Sequence, residues 1–193
     1  MLEYHRAKQL LVDEMLIRSA RRFPNKIAII DNEVRMTYQL LQNRVSNLAG
    51  WFQSKGIKKG EKVALLLYNS IEYTECFFAL AKIGAVAVPI NFRLQKLEFE
   101  YILANSDAKM LVAHHDFTSV IEQIRSNLPL LEDVVIVDDR EEKPPSYNAY
   151  DYHTIFDNAF NPQLEELTDD DDFIIVYNSG TTGKPKGAVL SHK

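Results

Sequence analysis

Ser179, Gly180, Thr181, Thr182 and Gly183 put three hydroxyls and two unhindered backbone positions into five consecutive residues, and Lys184, Lys186 and Gly187 follow at once. Glycines let a loop turn its N–H groups toward one point, and Ser and Thr add hydroxyl donors. Lysines bring positive charge to the same place. Such a set suits the grip of a polyphosphate. Nucleophilic use of Ser179, Thr181 or Thr182 is the weaker reading, because no general base stands near them in the sequence. The bland alternative is a glycine-rich hairpin with surface lysines.

The elements around this loop decide its type. An apolar, β-branched run at 173–176 enters it and a second apolar run at 188–190 leaves it. A Walker A loop would need glycine where Asn178 stands and Ser or Thr where Pro185 stands. Pro185 also disfavours helical backbone at Lys184. The expectation is therefore a hairpin over 173–191, strand–loop–strand, which holds phosphate without the help of a helix dipole.

Upstream, apolar spacing predicts a helix within 7–23 that ends at Pro24, then short strands at 26–30 and 34–37. Thr37 is placed to cap a helix carrying Leu41, Val45, Leu48, Ala49 and Phe52 on one face, with Gly56 at its end. Strands are expected at 62–67, 86–89, 109–113 and 134–137, and helices at about 70–83, 95–105 and 117–127. The continuous apolar run at 63–67 suits a strand covered on both faces. Strand and helix alternate with short links, the pattern of an α/β fold: a mostly parallel sheet wound with helices on both faces. Residues 138–150 read as a surface loop around Pro144-Pro145, followed by a short helix near 152–159. Glu165, Glu166 and the run Asp169 to Asp172 read as a solvated connector; on extended chain such neighbours point to opposite sides and do not converge on a metal.

The chain has 193 residues, 46% hydrophobic and 25% charged, with a net charge of −5. That supports a sizeable core and gives no electrostatic case for a nucleic-acid or anionic-membrane partner. No apolar run reaches the length of a membrane span, and no signal peptide opens the chain. The single cysteine, Cys76, excludes an intramolecular disulfide framework and fits a cytoplasmic setting; its apolar neighbours mark it as a buried, inert thiol. His5, His114, His115 and His153 lack zinc-site spacing.

Residues 177–187, Tyr-Asn-Ser-Gly-Thr-Thr-Gly-Lys-Pro-Lys-Gly, resemble the phosphate-binding signature of the adenylate-forming enzymes: acyl-CoA synthetases, luciferases and the adenylation domains of peptide synthetases. Position 178 usually holds Ser or Thr in that family; Asn178 replaces the hydroxyl with an amide, which can still donate. Thr37-Tyr38, Gly60-Glu61-Lys62-Val63-Ala64 and Ala81 to Pro89 resemble the family in the same order, so the likeness runs from about residue 20 onward. Asn91-Phe92-Arg93-Leu94 looks like a segment found in acyl- and aryl-CoA ligases.

The resemblance implies the N-terminal part of a large AMP-binding domain, with residues 1–193 a partial domain of a longer enzyme and the C-terminal domain absent. It implies ATP, magnesium and CoA as cofactors and a carboxylic acid, fatty or aryl, as substrate. The acid is first adenylated with loss of pyrophosphate, and a thiol then displaces AMP. Ser179, Gly180, Thr181, Thr182, Gly183, Lys184, Lys186 and Gly187 would hold the ATP phosphates. Lys186 is the better-placed of the two lysines, since the position of Lys184 varies in the family. Arg93 is either a contact to a CoA phosphate or a solvated arginine, and His192 either lines the site or only ends the chain. No catalytic residue and no metal ligand is assigned within the chain, which is expected to form no adenylate by itself. An amino-acid adenylation domain and a non-catalytic nucleotide-binding module stay open as alternatives. Oligomeric state is not read from the sequence, beyond the expectation that a cut domain can pair artificially through exposed apolar edges.

Overall fold

The computed structural model describes residues 2–6, 8–137, 147–178 and 184–193. Strands β3 (Lys62–Leu66), β4 (Val86–Pro89), β5 (Ala108–His114), β6 (Asp133–Val137), β7 (Tyr150–Asp151), β8 (Asp172–Asn178) and β9 (Lys186–Ser191) form one sheet in the order β7-β6-β5-β3-β4-β8-β9. Every pairing in it is parallel except β8 with β9, which is antiparallel. A separate antiparallel hairpin joins β1 (Ile27–Asp31) and β2 (Val34–Thr37).

Alternation along the strands sorts the core into two layers. Val63, Leu65, Ala87, Met110, Val112 and Val135 face helices α3 (Tyr38–Ser54) and α4 (Ile71–Ile83). Ala64, Leu66, Val88, Leu111, Ala113 and Val134 face the other way, under α5 (Lys96–Asn105) and α6 (Thr118–Ile124). The unbroken apolar run in β3 is thus used on both sides, as a central parallel strand requires.

Local signals set the helix ends. Thr37 Oγ1 accepts from Leu40 N at 3.2 Å at the start of α3, and Ser70 Oγ accepts from Tyr73 N at 3.3 Å at the start of α4. Gly84 ends α4 at φ +70°, a conformation that glycine takes without a Cβ penalty. The expected N-terminal helix is shorter than its pattern. It is α2 (Val12–Arg22), which starts only at Val12 because Leu11 is extended and buried at its N-cap; a separate turn of helix, α1 (Leu2–Arg6), precedes it. The helix expected at 117–127 is α6 flanked by 3-10 turns at His115–Phe117 and Arg125–Asn127, and the one near 152–159 is a 3-10 turn at His153–Asp157.

The acidic connector keeps its carboxylates mostly outward, yet its backbone is fastened. Gln53 Nε2 donates to Gln163 O and Gln163 N donates to Gln53 Oε1, both at 2.8 Å. Arg6 Nη1 donates to Glu165 O at 2.9 Å, and Lys59 Nζ to Glu166 O at 2.9 Å and Asp171 Oδ2 at 2.8 Å. Leu167, 2% exposed, lies over Gly84, where an added Cβ would meet its Cδ2 at 2.4 Å. Gly50 of α3 similarly lets the backbone of Phe160 and Asn161 approach, at 2.9 Å from where a Cβ would stand. Beneath, Glu75 is fully buried between Arg44, which reaches both of its oxygens, and Tyr152 Oη, which donates to Oε2 at 2.7 Å.

Candidate phosphate-binding margin

In a parallel sheet all strands end at one margin, and ligands of open α/β sheets bind outside it. β3, β4, β5 and β8 deliver to this margin Tyr68, the segment Asn91 to Leu94, His114 and Asn178. The connections that leave the neighbouring strands β3 and β5 run to opposite sides of the sheet, toward β4 and β6, so the strand order reverses between them. Tyr68 fills that point: its N–H donates to His114 Nδ1 at 3.0 Å and its hydroxyl to Asp116 Oδ2 at 3.0 Å, with the Phe92 ring 4.9 Å away.

Beside it, β8 and β9 form the expected hairpin, in register from Ile174↔Leu190 to Asn178↔Lys186, with a shift before Asp172↔Ser191. Ser179, Gly180, Thr181, Thr182 and Gly183 lie outside the described residues; the strands on either side of them are described. Gly187 stands opposite Tyr177, and a Cβ there would come within 2.7 Å of Ile175 Cγ2 and 3.0 Å of Tyr177 Cζ. Glycine therefore lets the Tyr177 ring lie across the strand, and the Tyr177 hydroxyl donates to Asn105 Oδ1 at 2.8 Å. Partial burial pushes the Tyr177 phenol above its ordinary pKa. The sequence gives Gly187 a place in a phosphate loop; the structure gives it a packing reason as well.

Three cations stand free at this margin. Lys184 and Lys186 are exposed at the mouth of the hairpin, Lys184 Nζ lying 5.5 Å from the centre of the Tyr101 ring. Arg93 is exposed just past β4, in a turn closed by its own N–H donating to Asn91 Oδ1 at 3.0 Å. Among the described residues none of the three forms an ion pair. Uncompensated cations on a strand margin are what an anionic ligand requires.

The remaining residues singled out in the sequence fall elsewhere. Cys76 is fully buried beside Glu75, and desolvation raises its thiol well above the ordinary value. His192 is buried, stacked on Phe173 at 5.1 Å, with Nδ1 accepting from Val12 N at 3.2 Å. It ties the far end of β9 to α2 and does not face the margin. No group of three His, Cys, Asp or Glu residues is placed to hold a metal among the described residues. Among them, too, no helix is long and apolar enough to cross a membrane.

Comparison with known proteins defines the class. The family described as AMP-binding enzyme matches residues 16–193. The chain is 36% identical over 184 residues to a crotonobetaine/carnitine–CoA ligase of Citrobacter koseri, covering 90% of this chain and 35% of that protein. It is 35% identical over 184 residues to the long-chain-fatty-acid–CoA ligase FadD13 of Mycobacterium tuberculosis, covering 93% of this chain and 34% of that protein. The anthranilate CoA ligase AuaEII, solved with anthranoyl-AMP, superposes with a TM-score of 0.86 at 33% identity, over 94% of this chain and 35% of that one. The chain belongs to the AMP-binding enzyme family, and it spans about a third of the length of the curated relatives it matches.

Proposed function

We propose that the protein carrying this chain is an ATP-dependent carboxylate–CoA ligase, and that the β8–β9 hairpin is its grip on the ATP phosphates. The single observation behind this reading is the hairpin at the carboxyl margin, with Lys184 and Lys186 at its mouth in no ion pair among the described residues, and the sequence Ser179-Gly180-Thr181-Thr182-Gly183 joining its two strands. Holding the β- and γ-phosphates aligns pyrophosphate as a leaving group and stabilises its charge while the acid's carboxylate attacks the α-phosphorus. The thiol of CoA then attacks the acyl carbon of the adenylate, forming the thioester and releasing AMP. Arg93 is positioned on the same margin for a phosphate of CoA. Magnesium would accompany the nucleotide and supply neutralisation of its phosphate charge; no described residue of this chain is assigned to hold it. A fatty or aryl acid is the substrate class that the similarity favours.

The roles proposed for this chain's residues are phosphate contacts, and none of them acts on the acid's carboxylate. The 193-residue protein is accordingly expected to bind tripolyphosphate weakly and to catalyse no ATP–pyrophosphate exchange. Lys186→Ala should weaken tripolyphosphate binding by roughly tenfold, the worth of one charge-assisted contact. Titration followed by NMR at the Lys184, Lys186 and Gly187 amides would measure it. Equal binding by the variant would remove Lys186 from the site, and an exchange signal from the purified chain would refute the division of labour.

A further inference from the structure

A second cavity, of about 270 Å³, lies in the helical layer between α2, the start of α3, the end of α4 and the connector. Lys82 lies in the last turn of α4, close to the amino end of β4 and so at the opposite margin of the sheet from Lys184 and Lys186. The cavity's walls carry charge of both signs: Lys82 and Arg21 on one side of the balance, Glu14 and Glu3 on the other, with Ile17 and Leu164 as apolar wall. Arg6 also reaches it, but its guanidinium is already used by Asp13 Oδ2 at 2.8 Å, Lys82 O at 3.1 Å and Glu165 O at 2.9 Å.

Lys82 and Glu14 are the unusual pair. They are 6% and 7% exposed, opposite in charge, and line the same cavity, yet they do not close into an ion pair. Lys82 makes no side-chain hydrogen bond or ion pair among the described residues; Glu14 has only a long contact, 3.9 Å, to the largely exposed Arg18. Two buried opposite charges gain by meeting, and each is costly when left alone. A gap held open between them is a place for something that carries both signs.

We propose that this cavity binds a small zwitterion of the α-amino acid type, its carboxylate on Lys82 and its ammonium on Glu14. The volume equals that of about nine waters, room for a ligand of few heavy atoms and little more. Ile17 and Leu164 would receive a short apolar side chain, and the second amide N–H of Gln42, whose first donates to Ser46 Oγ at 3.2 Å, is available to the carboxylate. Desolvation lowers the Lys82 ammonium below its ordinary pKa; Arg6 and Arg21 lower it further, and Asp13 and Glu14 only partly offset this. The charge at Lys82 is therefore under-compensated, and an arriving carboxylate favours the protonated form. The site is independent of the phosphate margin and does not rest on the reading given to it.

The test is calorimetry and NMR on the 193-residue chain with glycine, L-alanine and L-valine, against N-acetyl-L-alanine, which lacks the cation, and L-alanine amide, which lacks the carboxylate. Dissociation constants of about a millimolar are expected for so small a ligand. The two blocked compounds, and the variants Lys82→Met and Glu14→Gln, should each bind about tenfold more weakly or worse. The Lys82 side-chain resonance of the unsubstituted chain gives a readout that does not depend on the variants folding. If no zwitterion moves that resonance, or if N-acetyl-L-alanine binds as well as L-alanine, the proposal is overturned.

Discussion

Glu75→Gln removes the charge from a fully buried, ion-paired carboxylate while keeping the shape of the side chain. Glu75 is fully buried and accepts from Arg44 at both oxygens and from the Tyr152 hydroxyl, while the Arg44 guanidinium lies 3.7 Å from the centre of the Phe156 ring. The network joins α3, α4 and the 3-10 turn that precedes the connector. Removing one partner of a buried pair costs about 3–5 kcal/mol, because the other charge is left uncompensated. Arg44 is 27% exposed and regains some hydration, which places the expected loss near the lower end, about 3 kcal/mol. For a chain of this size that is a fall in melting temperature of roughly 6–12 °C. Tyr152→Phe removes one hydrogen bond and should cost about 1 kcal/mol. Urea denaturation of both variants and of the double variant would measure the terms, with a double-variant loss smaller than the sum. A Glu75→Gln protein within about 1 kcal/mol of the unsubstituted chain would refute the view that this network carries net stability.

Two further outcomes follow from contacts at the ends of helices. His192 must be neutral to accept from Val12 N–H, and desolvation holds its pKa below the ordinary 6.5, Arg6 lowering it further and Asp13, Asp171 and Asp169 opposing. The unfolded chain thus binds the proton first, so this contribution is full above pH 6.5 and is lost as pH falls through the lower folded value. Denaturation midpoints between pH 7.5 and 5 should fall less steeply for His192→Asn, which keeps an acceptor and does not titrate; parallel slopes would exclude the assignment. Gly84→Ala should cost about 1–2 kcal/mol from the left-handed backbone alone, before Leu167 is displaced, and an unchanged urea midpoint would contradict the conformation at that position.

Much of this fold is legible in the sequence because its signals are local. The Thr37 and Ser70 caps, the glycine at 84 and the apolar runs of β3 and β5 each act within a few residues. The hairpin type was readable from Pro185 and from the β-branched arms around the loop. What could not be read is set by distance along the chain. Arg44, Glu75 and Tyr152 are separated by 31 and 77 residues, and no spacing rule joins them. The order β5-β3-β4-β8 depends on which way each crossover packs, and alternation of strand and helix does not specify it. Arg93 and the lysines reach one margin only through that order. The connector read as solvent-facing because its side chains are acidic, while the groups that hold it are its carbonyls, which carry no mark in the sequence. Lys82 carries no mark of burial in the sequence, and only packing shows it 6% exposed.

The connector carries a consequence for how this segment tolerates change. Gln53, Arg6 and Lys59 recognise its peptide groups and not the identity of its residues, apart from Leu167 and Asp171. The exposed side chains of Asn161, Gln163, Glu165 and Glu166 are therefore free to drift, since any residue but proline at 163 offers the same amide to Gln53. Length is not free. One residue gained or lost there would slide every carbonyl past its partner and pull the approach to β8 out of line. Divergence in this stretch should accumulate as substitutions, with insertions excluded from it.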